Sequence, residues 1–169
     1  LDIIVNNAGD LVGRRTLQEI DVDFYRKVLA VNLDSQFFVT REAVPLMKNG
    51  EGASIINISS LAGRIGGAVG SLVYSMAKGA VLTFTRSLAK ELAPHGIRVT
   101  SVAPGLIIGS RFHEIHTSGE VVKETISGIP LGRAGNCGDV ARVVSFLASE
   151  YNGFITGTTI DINGGVYVN

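Results

Sequence analysis

Tyr74 and Lys78 stand at i and i+4 in the run Tyr74-Ser75-Met76-Ala77-Lys78, with Ser60 upstream of them. On a helix this spacing sends both side chains off one face, a turn apart. A phenol by itself is a poor base, with a pKa of about 10. An ammonium within a few ångströms favours the phenolate, and a nearby helix N-terminus pushes the same way. A tyrosine so placed exchanges a proton with an alcohol or a carbonyl near neutral pH. Ser60 is expected at the end of a strand, where its hydroxyl can meet the same substrate oxygen. Tyr-x-x-x-Lys alone is a common match, and on an arbitrary helix it is a solvated face. The elements around it decide between the two readings.

Ile3-Ile4-Val5 is a continuous apolar run, the pattern of a parallel strand covered on both faces, and residues 54–58 read as the next buried strand. Residues 97–102 and 159–162 supply two more strands. Asn6-Asn7-Ala8-Gly9 turns the chain after the first, with small residues that permit unusual backbone angles and close approach. Asp21 is placed to cap a helix beginning at Val22, along which Phe24, Val28, Val31 and Phe38 recur near helical spacing. Asn32 falls inside that stripe. A buried Asn needs partners, which either backbone groups or a held water can supply. Pro45 ends or bends this helix, and residues 48–52 read as an exposed loop.

A second helix, over residues 71–93, carries Tyr74 and Lys78, with Ala77, Ala80, Val81, Phe84, Leu88 and Leu92 as its apolar stripe. Pro94-His95-Gly96 stops it, Gly96 being able to take a left-handed angle. Pro104-Gly105 follows the third strand. Residues 111–129 read as a lid with a short helix near 120–126, and residues 139–149 as a last amphipathic helix. Strands alternating with helices make an α/β chain, in which ligands bind at the carboxyl ends of the strands.

A length of 169 residues suits one domain with a real core, and 46% hydrophobic against 18% charged residues is a globular composition. Fifteen basic residues balance fifteen acidic ones, so bulk charge argues for neither a nucleic-acid nor a membrane partner. Cys137 is the single cysteine, which leaves no internal disulfide and makes a reducing, cytoplasmic compartment the expectation. No apolar run approaches the ~18 residues of a membrane-spanning helix.

Taken in order, Asn6-Asn7-Ala8-Gly9, Val31-Asn32-Leu33, Asn57-Ile58-Ser59-Ser60-Leu61-Ala62-Gly63, Tyr74-x-x-x-Lys78 and Pro104-Gly105 resemble the motifs of the short-chain dehydrogenase/reductase family, from Leu1 to the Asn163-Gly164-Gly165 tail. The resemblance implies a Rossmann-like, doubly wound parallel sheet and a reversible hydride transfer between NAD or NADP and a ketone or secondary alcohol. It implies a catalytic set of Asn32, Ser60, Tyr74 and Lys78, with Ser60 chosen over Ser59 by the family's Ser-x-x-Gly pattern. Asn7, Ala8 and Gly9 would lie along the cofactor's adenosine side. Tyr74 and Lys78 would meet its nicotinamide ribose, and Pro104, Gly105 and the backbone near Ile107 its carboxamide. Asn32 would hold a water that relays protons to Lys78. The Tyr74-bearing helix would pair copies into a homodimer or homotetramer.

Three positions depart from the family pattern. The span from Ser60 to Tyr74 is one residue longer, Gly109 stands where a Thr is common, and Asn163 where Asp is usual. Members of the family also carry a strand, a Gly-rich turn and two further strand–helix units ahead of this point. Residues 1–169 are therefore expected to be the C-terminal two-thirds of a single dinucleotide-binding domain, lacking its first strands and Gly-rich turn.

Other classes remain to be weighed. One is an inactive fragment or association module that holds no dinucleotide tightly, since the turn and helix N-terminus that would grip a pyrophosphate are not in this sequence. A serine hydrolase is disfavoured because Ser60 lacks the Gly-x-Ser-x-Gly setting. Residues 63–70 are glycine-rich but do not have phosphate-loop spacing, and are expected to fold back over the site. His113 and His116 are spaced as a ligand pair, but no third ligand accompanies them, so no metal is expected; substrate contact is the alternative.

Overall fold

The computed structural model of the protein describes residues 1–47, 52–109, 115–116, 119–149 and 153–168. In chain order the elements are β1 (Ile3–Asn6), α1 (Val22–Leu29), α2 (Ser35–Met47), β2 (Ser54–Ile58), α3 (Ala62–Ile65), α4 (Leu72–Leu92), β3 (Arg98–Pro104), β4 (Ile107–Ile108), α5 (Gly119–Ser127), β5 (Gly135–Asn136), α6 (Cys137–Ala148) and β6 (Thr159–Ile162). The apolar runs pair as a four-stranded sheet in the order β1-β2-β3-β6, all parallel, with Ile4 against Ile55, Ile55 against Val99 and Val102 against Ile160. Strands β4 and β5 form a separate two-residue parallel pair.

Alternate residues of the central strands feed two cores, because successive side chains leave opposite faces. On one face Ile4, Ile55 and Val99 pack with Met47 of α2 and with Ala89 and Leu92 of α4. On the other, Ile56 and Val102 pack with Val140, Val143 and Leu147 of α6. Helices therefore cover both faces, which is the doubly wound α/β arrangement expected. Arg98 satisfies the end of α6, donating from Nη1 to Leu147 O at 3.0 Å and from Nη2 to Ser149 O at 3.2 Å.

Two expectations fail here for physical reasons. Strand β1 is not covered on both faces: Ile3 is 47% and Val5 43% exposed. Helix α6 packs on β2 and β3, and only Ile4 of the Ile3-Ile4-Val5 run is buried. Phe38 does not continue the apolar stripe, being 49% exposed where Val28 is fully buried and Phe24 and Val31 partly so. Residues 30–34 form a π-helical turn between α1 and α2, and its wider turn shifts the helical phase. The fully buried inward positions become Val28, Asn32, Gln36 and Thr40.

Element ends follow their caps. Asp21 accepts the Phe24 N–H at 2.7 Å and starts α1 as expected. Helix α6 begins at Cys137, two residues before the predicted start, because Asn136 and Asp139 form a reciprocal capping box. Helix α4 passes through a 3₁₀ turn, Ala93–His95, and stops at Gly96 with φ +69°. The predicted loop residues 48–51 lie outside the described residues, as do Ser110 and His113.

Candidate active site

Strand β2 ends at Ile58 and the chain turns through the two serines into α3. They separate cleanly. Ser59 Oγ donates to Lys78 O at 2.8 Å, tying the turn to α4. Ser60 Oγ accepts the Ala62 N–H at 3.1 Å and is hydrogen-bonded with the Tyr74 side chain. Gly63 presses this turn onto α4: a Cβ there would lie 2.7 Å from Lys78 C and 2.8 Å from Gly79 N. Backbone cannot move aside as a side-chain tip can. Gly63→Ala is accordingly expected to cost about 1–3 kcal/mol of stability, measured as a lower urea midpoint at unchanged slope. An unchanged midpoint would show that α3 is not seated on α4.

Lys78 is 3% exposed, and its Nζ donates to Ile58 O at 3.0 Å. Burial pulls its pKa from 10.5 to about 8. Nζ lies 5.7 Å from the Tyr74 ring centroid, so the two side chains do share one face of α4. Gln36, also buried, donates its Nε2 to the same Ile58 carbonyl at 3.2 Å. Gly9 completes the approach: a Cβ there would fall 2.9 Å from Lys78 Nζ and 3.0 Å from Asn32 Oδ1.

The phenol differs from expectation. Burial pushes the Tyr74 pKa above its ordinary value; the Ser60 hydrogen bond opposes this and the Asp10 carboxylate adds to it. The Lys78 ammonium faces the ring and the Ile58 carbonyl, and the desolvation of a buried phenolate outweighs the rest. Tyr74 thus holds its proton and is set up as a donor.

Asn32, carried inward by the π turn, spends its side chain on backbone. Its Nδ2 donates to Val28 O at 2.9 Å and to Asp10 O at 2.7 Å, and its Oδ1 accepts the Asp10 N–H at 3.1 Å. The side chain therefore clamps the segment after β1 against the helix. Asn7 and Ala8 lie exposed beyond the end of β1, next to Gly9. Pro104 O accepts the Leu61 N–H at 2.8 Å, and Gly105 packs 3.1 Å, by its virtual Cβ, from Asn163. Both lie at the same edge of the sheet as Ser60. Ile107 is buried in β4 opposite Gly135. Residues 66–70 fold onto the start of α4, where Ser75 Oγ donates to Gly66 O at 2.7 Å, and onto the segment after β1, where the Arg15 N–H donates to Gly70 O at 3.0 Å.

His116, which the sequence offered as a substrate contact, has its Nε2 2.7 Å from Asp10 Oδ1, on the rim of the Tyr74 site. The contacts of Asp10, Asn6 and Asn57 were not singled out from the sequence. Asn6 donates to Thr40 Oγ1 and Asn57 Oδ1, and Asn57 donates to Thr85 Oγ1, a buried polar chain from β1 through β2 to α4. A lone Asn inside the apolar run of β2 was the available signal for it. Asp10, directly after the Asn-Asn-Ala-Gly turn, gave no periodic cue.

A doubly wound α/β sheet thus brings a hydroxyl pair and a buried ammonium together at its carboxyl edge, the edge at which ligands bind in such sheets. A family model described as enoyl-(acyl carrier protein) reductase matches residues 1–167. The (3R)-3-hydroxyacyl-CoA dehydrogenase of Homo sapiens is 41% identical over 167 residues, covering 98% of this chain and 62% of that protein. The 3-oxoacyl-acyl-carrier-protein reductase FabG of Aquifex aeolicus is 41% identical over 167 residues, covering 99% and 66%. The crystal structure of a short-chain dehydrogenase/reductase, glucose/ribitol dehydrogenase, from Brucella melitensis superposes with a TM-score of 0.91 at 33% identity, over 100% of this chain and 66% of that one. The chain belongs to the short-chain dehydrogenase/reductase family. It spans just under two thirds of the length of these relatives. Among the described residues no helix is long and apolar enough to cross a membrane.

Proposed function

We propose that residues 1–169 are the C-terminal two-thirds of one dinucleotide-binding domain, and that the protein is a cytoplasmic NAD(P)-dependent oxidoreductase interconverting a ketone and a secondary alcohol. The substrate class favoured is a 3-oxoacyl or 3-hydroxyacyl thioester, the class named in relatives near 40% identity. The observation that carries the reading is the Ser60–Tyr74 hydrogen bond above a buried Lys78.

The residues fit the nicotinamide-ribose end of a dinucleotide. Lys78 has three N–H groups and gives one to Ile58 O, and Gly9 keeps clear the space beside Nζ. Hydride transfer to or from the substrate carbon is the chemistry the nicotinamide supplies when bound. Ser60 holds the substrate oxygen. Tyr74 gives that oxygen its phenolic proton in the reductive direction and takes it back in the oxidative one. Lys78 binds the ribose and stabilises the phenolate so formed. Asn32 supports re-protonation by keeping the segment at Gly9 and Asp10 closed over Lys78. Asn7 and Ala8 lie along the adenosine side, and Pro104, Gly105 and Ile107 along the carboxamide. Exposed Leu72 and Met76 on α4 and Phe37 on α2 favour pairing of two copies through α4 into a dimer or tetramer.

Titration of the protein with NADH and with NADPH, following cofactor fluorescence, is expected to give micromolar binding of one of them, and acetoacetyl-CoA to be turned over in preference to ribitol. The exposed Ile3 and Val5 face suits an association module instead. Absence of binding of either cofactor at millimolar concentration would favour that alternative and overturn the oxidoreductase reading.

A further inference from the structure

Arg64 lies in α3, four residues beyond Ser60, and reaches across to the last strand. Its Nε and Nη2 each donate at 3.1 Å to a separate carboxylate oxygen of Asp161 in β6. The two side chains are only 13% and 17% exposed. The guanidinium lies 5.6 Å from the Tyr167 ring centroid. Two parallel bonds fix orientation as well as distance, and partial burial limits screening by salt.

We propose that Arg64 is a positioning residue for Ser60: the Arg64–Asp161 fork holds the one-turn helix α3 where the Ser60 hydroxyl meets Tyr74. The inference rests on the oxidoreductase reading. A four-residue helix has no stability of its own, so its place is set by its ties. Leu61 N–H donates to Pro104 O at 2.8 Å, and Gly63 sits on the Lys78–Gly79 backbone. With the Ser75 Oγ–Gly66 O bond at the end of α3, these contacts hold it from the side of α4 and β3, and leave rolling of its other side to be opposed by Arg64. Rolling would swing the Ala62 N–H, which bonds Ser60 Oγ.

The fork stops that motion from the far side, and its anchor is rigid. Asp161 pairs in register with Ala103 of β3. Beyond it, Asn163 braces the tail that carries Tyr167, accepting the Gly165 N–H at 2.9 Å and donating to Tyr167 O at 3.2 Å. The end of the chain thereby sets the geometry of a hydroxyl on a strand end a hundred residues upstream.

Arg64→Met and Arg64→Lys, each alone and with Ser60→Ala, test this on the full chain. Arg64→Met is expected to lower kcat about tenfold or more, with the dissociation constant for the bound nicotinamide cofactor moving less than about twofold and Arg64→Lys recovering part of the loss. In the Ser60→Ala background the same substitution should cost less than about twofold, because the group being positioned is gone. Equal loss in both backgrounds, or no loss in the parent, overturns the proposal. Amide hydrogen exchange reads the same point without turnover: residues 63–66 should exchange about tenfold faster in Arg64→Met while β2 and α4 keep their protection. Unchanged exchange at 63–66 overturns the proposal. A parent protein with no turnover but faster exchange in the variant would sink the oxidoreductase reading and leave the strut standing. Asp161→Asn, which keeps the shape and removes the charge, gives the same readouts where Arg64→Met does not fold.

Discussion

Tyr74→Phe is expected to lower turnover by roughly 10²–10⁴-fold, the range for loss of a positioned proton donor, while binding of the nicotinamide cofactor changes by less than about twofold. The split follows from what each atom touches. The phenolic oxygen bonds Ser60 and faces the substrate oxygen in the proposed reaction, whereas the ring packs beside Lys78. Phe keeps the ring and deletes the proton. Ser60 Oγ still accepts the Ala62 N–H, so the turn is not left unsatisfied and the fold should hold. Single-turnover hydride transfer, followed by loss of cofactor absorbance, measures the step directly. Retention of near-wild-type turnover would remove Tyr74 from the chemistry. A matching loss of cofactor affinity would instead mean that the hydroxyl builds the binding site.

Much of this was legible from local sequence, because local rules govern it. Strands β2 and β6 begin and end at the residues read from the sequence, 54–58 and 159–162. The Tyr74–Lys78 spacing sufficed to put both groups on one helix face, and the Ser-x-x-Gly pattern separated Ser60 from Ser59 for a reason now visible: Gly63 must lie against the α4 backbone. What escaped depends on distance or on backbone irregularity. The π turn at residues 30–34 has no periodic signature, and it turned Phe38 outward and Gln36 inward. The two-residue pair β4–β5 is too short to show alternation. The Arg64–Asp161 and His116–Asp10 contacts join residues about a hundred positions apart, so no window of sequence contains both partners. The sign of the Tyr74 shift was misread because spacing reports proximity to Lys78 but not the burial of both groups.

Lys78→Met is expected to abolish ribose binding and phenolate support together, lowering kcat/KM by at least about 10²-fold, and yet to stabilise the fold. The lysine is buried as an ammonium whose pKa falls from 10.5 to about 8. Keeping it charged at pH 7 costs on the order of 3 kcal/mol of folding stability. Met fills a similar volume, and Ile58 O retains the Gln36 donor, so no carbonyl is orphaned. Below about pH 8 both folded and unfolded lysine are charged and the penalty is full. Between about 8 and 10.5 the folded protein has shed the proton while the unfolded chain still binds it, so stability rises with pH. Above 10.5 both are neutral and the penalty is gone. Urea unfolding of parent and variant at pH 7 and pH 10 should therefore show the variant more stable at pH 7 and the gap closing at pH 10. A variant less stable at pH 7, with a gap that does not move with pH, would mean that Lys78 is held by interactions strong enough to offset its burial, and its place beside Tyr74 would then be structural.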